Sequence, residues 1–136
     1  MIIVDSNVLI DVAANDSEWA ARSSSTLLAA SLKGRLLINS IIYAELSARY
    51  SAIEELDNFI AQADLDIVDI PKAALFLAGK AFIRYRRAGG TRTGVLPDFF
   101  IGAHAATIGV PLLTRDVSKY RTYFPTIKLI SPADPD

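Results

Sequence analysis

Short, strand-like apolar runs recur along the chain at Ile2 to Val4, Leu36 to Ile38, Leu65 to Val68, Leu112 to Leu113 and Lys128 to Ile130. Each is short, as strands are. Between them lie longer stretches with helical spacing. Ser17 to Lys33 ends at Gly34, a residue suited to the position after a helix, and Ser40 is placed to cap a helix through Arg49. Ser51 opens another that carries Ile53, Leu56, Phe59 and Ile60 on one face, and Pro71 to about Ala88 forms a long one ended by Gly89-Gly90. Pro97 suits the first turn of a helix that runs to Ile108 and closes at Gly109. Strands alternating with helices predict an α/β fold, a parallel sheet with helices on both faces.

Length and composition narrow the class. With 136 residues, 51% of them hydrophobic, the chain can bury one sizeable core, and no repeat or linker divides it, so residues 1–136 are read as a single domain. There is no Cys and only one His, which excludes a disulfide framework, a thiolate zinc site and paired imidazole ligands. The longest charge-free run, Phe99 to Thr114, is too short to span a bilayer and is broken by Gly102, Gly109 and Pro111. The amino terminus lacks a basic region and meets Asp5 early, so a cytoplasmic protein without a signal peptide is expected.

A net charge of −1 conceals two unlike halves. Residues 1–69 carry 4 basic and 11 acidic side chains, residues 70–136 carry 10 basic and 4 acidic. No acid occurs between Asp69 and Asp98, whereas Lys72, Lys80, Arg84, Arg86, Arg87 and Arg92 do. Such a stripe suits a polyanion, although a solvated helix face has the same composition.

The expected topology says where particular acids lie. Asp5 follows the first strand and Asp116 follows Leu112-Leu113-Thr114, so both stand at the carboxyl edge of the sheet. Crossover helices start at that edge, which brings in Glu45, in the second turn of its helix, and Asp98, in the first turn of its own. Open α/β sheets build their sites there. Taken singly, each acid has an ordinary role as a cap, turn or solvated residue. Together they conflict, since two charges about 5 Å apart at an effective dielectric near 20 repel by about 3 kcal/mol. The cluster therefore opposes folding unless a cation or protons neutralise it, and on that logic Asp98→Asn is expected to raise the melting temperature of the metal-free protein. All-carboxylate ligands select hard ions, Mg²⁺ or Mn²⁺.

Ile3-Val4-Asp5-Ser6-Asn7-Val8-Leu9-Ile10-Asp11, Tyr43-Ala44-Glu45-Leu46, Leu96-Pro97-Asp98, Leu113-Thr114-Arg115-Asp116 and the ending Tyr123-Phe124-Pro125 through Leu129-Ile130-Ser131-Pro132 together resemble the PIN-domain nucleases, specifically the VapC-type toxins of type II toxin-antitoxin systems. The likeness spans essentially the whole chain. It implies a three-layer sandwich around a five-stranded parallel sheet in order 3-2-1-4-5, and a Mg²⁺- or Mn²⁺-dependent endoribonuclease that leaves a 5′-phosphate and a 3′-hydroxyl. Carried over residue by residue, the catalytic and metal-binding acids are Asp5, Glu45, Asp98 and Asp116. Glu45 either ligates a second ion or orients the attacking water. Ser6 and Thr114 match polar positions beside the family's site, where they orient a carboxylate or water, unless they merely cap a helix and end a strand. Arg84, Arg86, Arg87, Arg92 and Arg115 are the candidate phosphate contacts.

The resemblance also implies partners: an RNA substrate, a cognate antitoxin and a second copy of the chain in a homodimer. The antitoxin is expected to lay an apolar helix into a groove between Ile41 to Tyr50 and Ile53 to Ile60, where Ile41, Ile42, Leu46, Tyr50, Leu56, Phe59 and Ile60 exceed one narrow stripe, with a basic side chain reaching the acids. His104 lies about 240° round its helix from Asp98 and is read as structural. Trp19, Leu27, Leu28 and Leu32 are read as core or interface, and Asp11 as solvated or paired with a base. Two other readings stand beside the nuclease. One is a catalytically idle module of the same fold that binds RNA or protein. The other, a phospho-accepting receiver domain, lacks adjacent acids after the first strand and a Lys after the fifth.

Overall fold

The computed structural model describes residues 1–92 and 94–133. Five strands, β1 (Ile2–Val4), β2 (Leu36–Ile38), β3 (Leu65–Ile67), β4 (Leu112–Leu113) and β5 (Leu129–Ile130), form one parallel sheet in the order β3-β2-β1-β4-β5. Among the described residues the helices are α1 (Ser6–Ala13), α2 (Ala20–Lys33), α3 (Ser40–Ser47), α4 (Ile53–Gln62), α5 (Lys72–Arg87), α6 (Leu96–Ile108) and α7 (Val117–Tyr123). With this strand order and right-handed crossovers the helices cover both faces of the sheet. The three central strands are continuous apolar runs because both faces are covered: Ile2, Ile3, Val4, Leu36, Leu37, Ile38, Leu112 and Leu113 are all buried. Ile3 sits in register with Leu37 on one side and Leu112 on the other.

The chain reverses direction of strand addition between β1 and β4, so a crevice opens at their carboxyl ends. Local chemistry fixes the helices that border it. Pro97 stands in the first turn of α6, and Gly109 ends that helix in the left-handed region at φ 69°. Gly102 is required by packing: a Cβ there would lie 2.5 Å from the Phe124 ring and 3.0 Å from that of Tyr120, so its absence is what lets α7 and the segment after it dock on α6. His104 is buried in α6 and holds it to the end of β2. The side-chain oxygen of Asn39 caps α3 by accepting from Ile42 N, which leaves its amide to donate to His104 Nδ1 at 3.0 Å. Burial lowers the His104 pKa and keeps the ring neutral, as that acceptor role demands.

Several boundaries differ from the sequence expectation. Asn39, not Ser40, caps α3, and α2 starts at Ala20 because Asp16 turns the chain first, accepting from the amides of Glu18 and Trp19. Gly34 ends α2 in extended backbone at φ 178°. α7 was not expected at all. The groove between α3 and α4 is also shallower than expected, because Ile42, Leu46, Leu56 and Ile60 belong to the core. What remains there is a hollow of about 210 Å³ lined by Tyr43, Ser47, Tyr50, Ile53 and Leu56 among others, and a larger one of about 520 Å³ opens between α2 and α4. Leu28 and Leu32 of α2 are exposed, not core.

Candidate functional site

Asp5 is the floor of the crevice. As the cap of α1 it accepts from Ser6 N at 2.8 Å through Oδ1, and its Oδ2 accepts from Thr114 Oγ1 at 2.8 Å and Tyr120 OH at 3.0 Å. Asn7 Nδ2 lies 3.4 Å from the same oxygen. Burial raises the Asp5 pKa above the usual carboxylate range and the charge of Asp98 adds to this, against the pull of the hydrogen bonds from Thr114, Tyr120 and Ser6.

Glu45 reaches Asp5 through Ser6, whose hydroxyl donates to Glu45 Oε1 at 3.0 Å. Its pKa is raised as well, first by partial burial and then by the charges of Asp5 and Asp98, with Ser6 and Lys119 opposing. Asp98 projects from the first turn of α6, and Asp116, at the start of α7, stands at the rim with half its side chain exposed. One ammonium joins them: Lys119 Nζ is 2.7 Å from Asp98 Oδ2 and 2.9 Å from Asp116 Oδ2. Desolvation works against the Lys119 charge, but the bonds to both carboxylates outweigh it and raise its pKa. Thr114 is the hinge between the two pairs, donating to Asp5 and accepting from Asp116 N at 3.0 Å.

The four expected acids are thus linked at the carboxyl edge of the sheet through Ser6, Thr114 and Lys119. Lys119, Tyr120 and Asn7 are the members that sequence reasoning missed. Lys119 and Tyr120 follow Asp116 by three and four residues, a helical spacing that carries them to the same face once α7 exists. Asn7 donates to Thr114 Oγ1 at 3.3 Å and accepts from Arg115 N, tying β1 to β4 at the crevice.

The arginines divide into two groups. Arg115 is engaged beneath the site: it donates to Asp11 Oδ1 at 3.0 Å, and its Nε lies 2.9 Å from Asp11 Oδ2, close enough to pair but not aligned as a hydrogen bond. Its guanidinium also stacks over Trp19, 4.7 Å from the ring centre. Asp11 is therefore paired with a base and buried, with Ser23 as its second partner. Arg84, Arg86 and Arg87 instead close α5 as exposed side chains, and Arg92 follows them. Tyr85 between them packs edge-on against Phe99, the neighbour of Asp98, at 5.7 Å, and its hydroxyl accepts from Arg92 N at 2.9 Å. The basic end of α5 is by this contact held beside the start of α6.

As placed, no three Asp, Glu or His side chains among the described residues stand close enough to hold an ion. The donor set nevertheless fits a hard divalent ion in kind, being wholly carboxylate oxygen, and Lys119 supplies a cation between two of its members.

A parallel α/β sheet in this order, with acidic side chains at its carboxyl edge, places them where open sheets of this class build their binding sites. The chain belongs to the PIN-domain family, whose model, described as the PIN domain, matches residues 2–125. Its fold is similar to that of VapBC-1 from nontypeable Haemophilus influenzae, at TM-score 0.73 and 18% identity, covering 98% of this chain and 100% of that one. VapBC2 from Rickettsia felis, bound to a DNA fragment from its promoter, matches at TM-score 0.72 and 19% identity, covering 96% and 98%. A toxin-antitoxin complex from Klebsiella pneumoniae matches at 0.69 and 20%, covering 99% and 100%. No curated protein matched the sequence. Among the described residues no helix is long and apolar enough to cross a membrane.

Proposed function

We propose that this chain is a Mg²⁺- or Mn²⁺-dependent endoribonuclease and the toxin of a toxin-antitoxin pair. The observation that carries the reading is the convergence of Asp5, Glu45, Asp98 and Asp116, from four separate segments, on the crevice of a PIN domain. These four acids would hold the ion, which when bound lowers the pKa of water and neutralises charge on the scissile phosphate. Asp5 is the fixed ligand, pinned by Thr114, Tyr120 and Ser6. Glu45, hung over the crevice by Ser6, holds the ion or orients the attacking water. Arg84, Arg86, Arg87 and Arg92 follow the RNA backbone past the start of α6, where their charge is available to phosphates. The exposed Leu28, with Leu27 and Phe59, borders the hollow between α2 and α4, which is the better seat for an apolar antitoxin helix than the α3–α4 face expected from sequence. Leu75, Phe76 and Ile83 on α5 leave apolar surface for a second copy of the chain.

The other reading is an idle module of the same fold that binds RNA without cutting it. One assay separates them. Wild-type protein free of contaminating nuclease should cleave RNA in Mg²⁺ or Mn²⁺, and Asp98→Asn, which removes a charged oxygen without changing size, should lose about a hundredfold or more of that rate. RNA that binds wild-type protein yet stays intact with either ion would establish the idle module instead.

A further inference from the structure

We propose that Lys119 is the internal counter-cation of the acidic crevice, holding Asp98 and Asp116 together in the metal-free protein and competing with the divalent ion for both. This rests on the reading of those acids as ion ligands. Lys119 shares a helix face with Asp116, three residues before it, but it reaches Asp98 on another helix only because α7 lies against α6 at Gly102. Its Nζ sits between one oxygen of each acid, at 2.7 and 2.9 Å, with only 19% of the side chain exposed. These are charge-assisted contacts at full strength, made by a compact ammonium that seeks oxygen as Mg²⁺ does.

A small dication needs ligand oxygens at about 2.1 Å, so it and the ammonium cannot both occupy the gap between the same two oxygens. An ion seated between those two oxygens therefore displaces Lys119, whose flexible stem lets the ammonium move aside. The chemistry sorts this role from its opposite. If Lys119 were a brace that orients Asp98 and Asp116 for the ion, its removal would weaken ion binding; as a competitor, its removal strengthens it.

The test is a Mn²⁺ titration of metal-free protein without RNA, read by calorimetry and by the electron paramagnetic resonance of free Mn²⁺. Lys119→Met should bind Mn²⁺ about tenfold more tightly than wild type, and Lys119→Arg, which keeps the charge, should stay near it. Affinity in Lys119→Met equal to or weaker than wild type overturns the proposal. If wild type binds Mn²⁺ and Asp98→Asn does not, an unchanged Lys119→Met sinks the competition alone. If neither wild type nor any Lys119 variant binds, the assignment of the acids falls with it. Should Lys119→Met not fold, wild type answers by nuclear magnetic resonance of ¹⁵N-lysine: saturating Mg²⁺ should abolish the protected Lys119 ammonium signal, and a signal that persists overturns the proposal.

Discussion

Tyr120→Phe removes one hydroxyl from the crevice and leaves the ring that packs against Gly102 in place. The hydroxyl donates to Asp5 Oδ2 at 3.0 Å, and both residues are buried, so no water replaces it. A hydrogen bond to a charged group contributes about 1.5–3 kcal/mol, so at neutral pH the metal-free variant should lose about that much stability. For a chain of this size the melting temperature should fall by about 5–10 °C. The pH dependence identifies the partner. The Asp5 pKa is already raised in the folded protein, chiefly by burial, and losing a donor to the carboxylate raises it further. A group raised in this way stabilises fully below its unfolded value, in the usual carboxylate range, and that stability is lost as pH rises through the folded value. The gap between wild type and variant should therefore be widest at neutral pH and shrink on acidification, once Asp5 carries a proton in both proteins. Urea titrations in metal-free buffer at pH 7 and near pH 4 measure this. An equal gap at the two pH values would refute the claim that Tyr120 serves the charged form of Asp5, and no gap at either would refute the hydrogen bond.

Gly102→Ala should destabilise by about 1–3 kcal/mol, the range for overpacking, because its Cβ must push the Phe124 and Tyr120 rings away; thermal melting at wild-type temperature would show that α7 has slack the geometry denies. Replacing Arg84, Arg86 and Arg87 together with Ala should weaken RNA binding and flatten log affinity against log salt by about 0.7 per lost phosphate contact. An unchanged slope would reduce the basic end of α5 to a solvated helix face.

The sheet was legible because buried parallel strands read as unbroken apolar runs, and Ile2–Val4, Leu36–Ile38 and Leu112–Leu113 fall where those runs fall. α6 was legible through Pro97 and Gly109, one pre-setting the first turn and the other supplying a positive φ. α7 was not. Its seven residues, Val-Ser-Lys-Tyr-Arg-Thr-Tyr, carry no apolar period, and its one buried side chain, Tyr120, is explained only by tertiary contacts with Gly102 and Asp5. Because α7 was missed, so were the two residues it brings to the crevice. The acids themselves could be placed without it, since strand ends and helix starts follow from topology, whereas the partners of the acids depend on which helices touch.

Those partners change the electrostatic argument. Four carboxylates at one edge require a cation or protons, and the folded chain draws on both: Lys119 lies between Asp98 and Asp116, and the raised pKa values of Asp5 and Glu45 move them toward the protonated form. In the inner pair burial itself disfavours the charge and raises proton affinity, whereas the outer pair is held by an ammonium. It follows that Asp98→Asn does not simply remove a repulsive charge, as the sequence alone suggested. It relieves Asp5 and Glu45 but leaves Lys119 with Asp116 only, and the lost contact at 2.7 Å is the shorter of the two. The rise expected from repulsion alone is therefore offset by the loss of the Lys119 contact. What Asp98 contributes in the absence of metal is attraction to Lys119 set against repulsion from Asp5 and Glu45, so the cation that α7 brings to this edge offsets part of what four acids there cost.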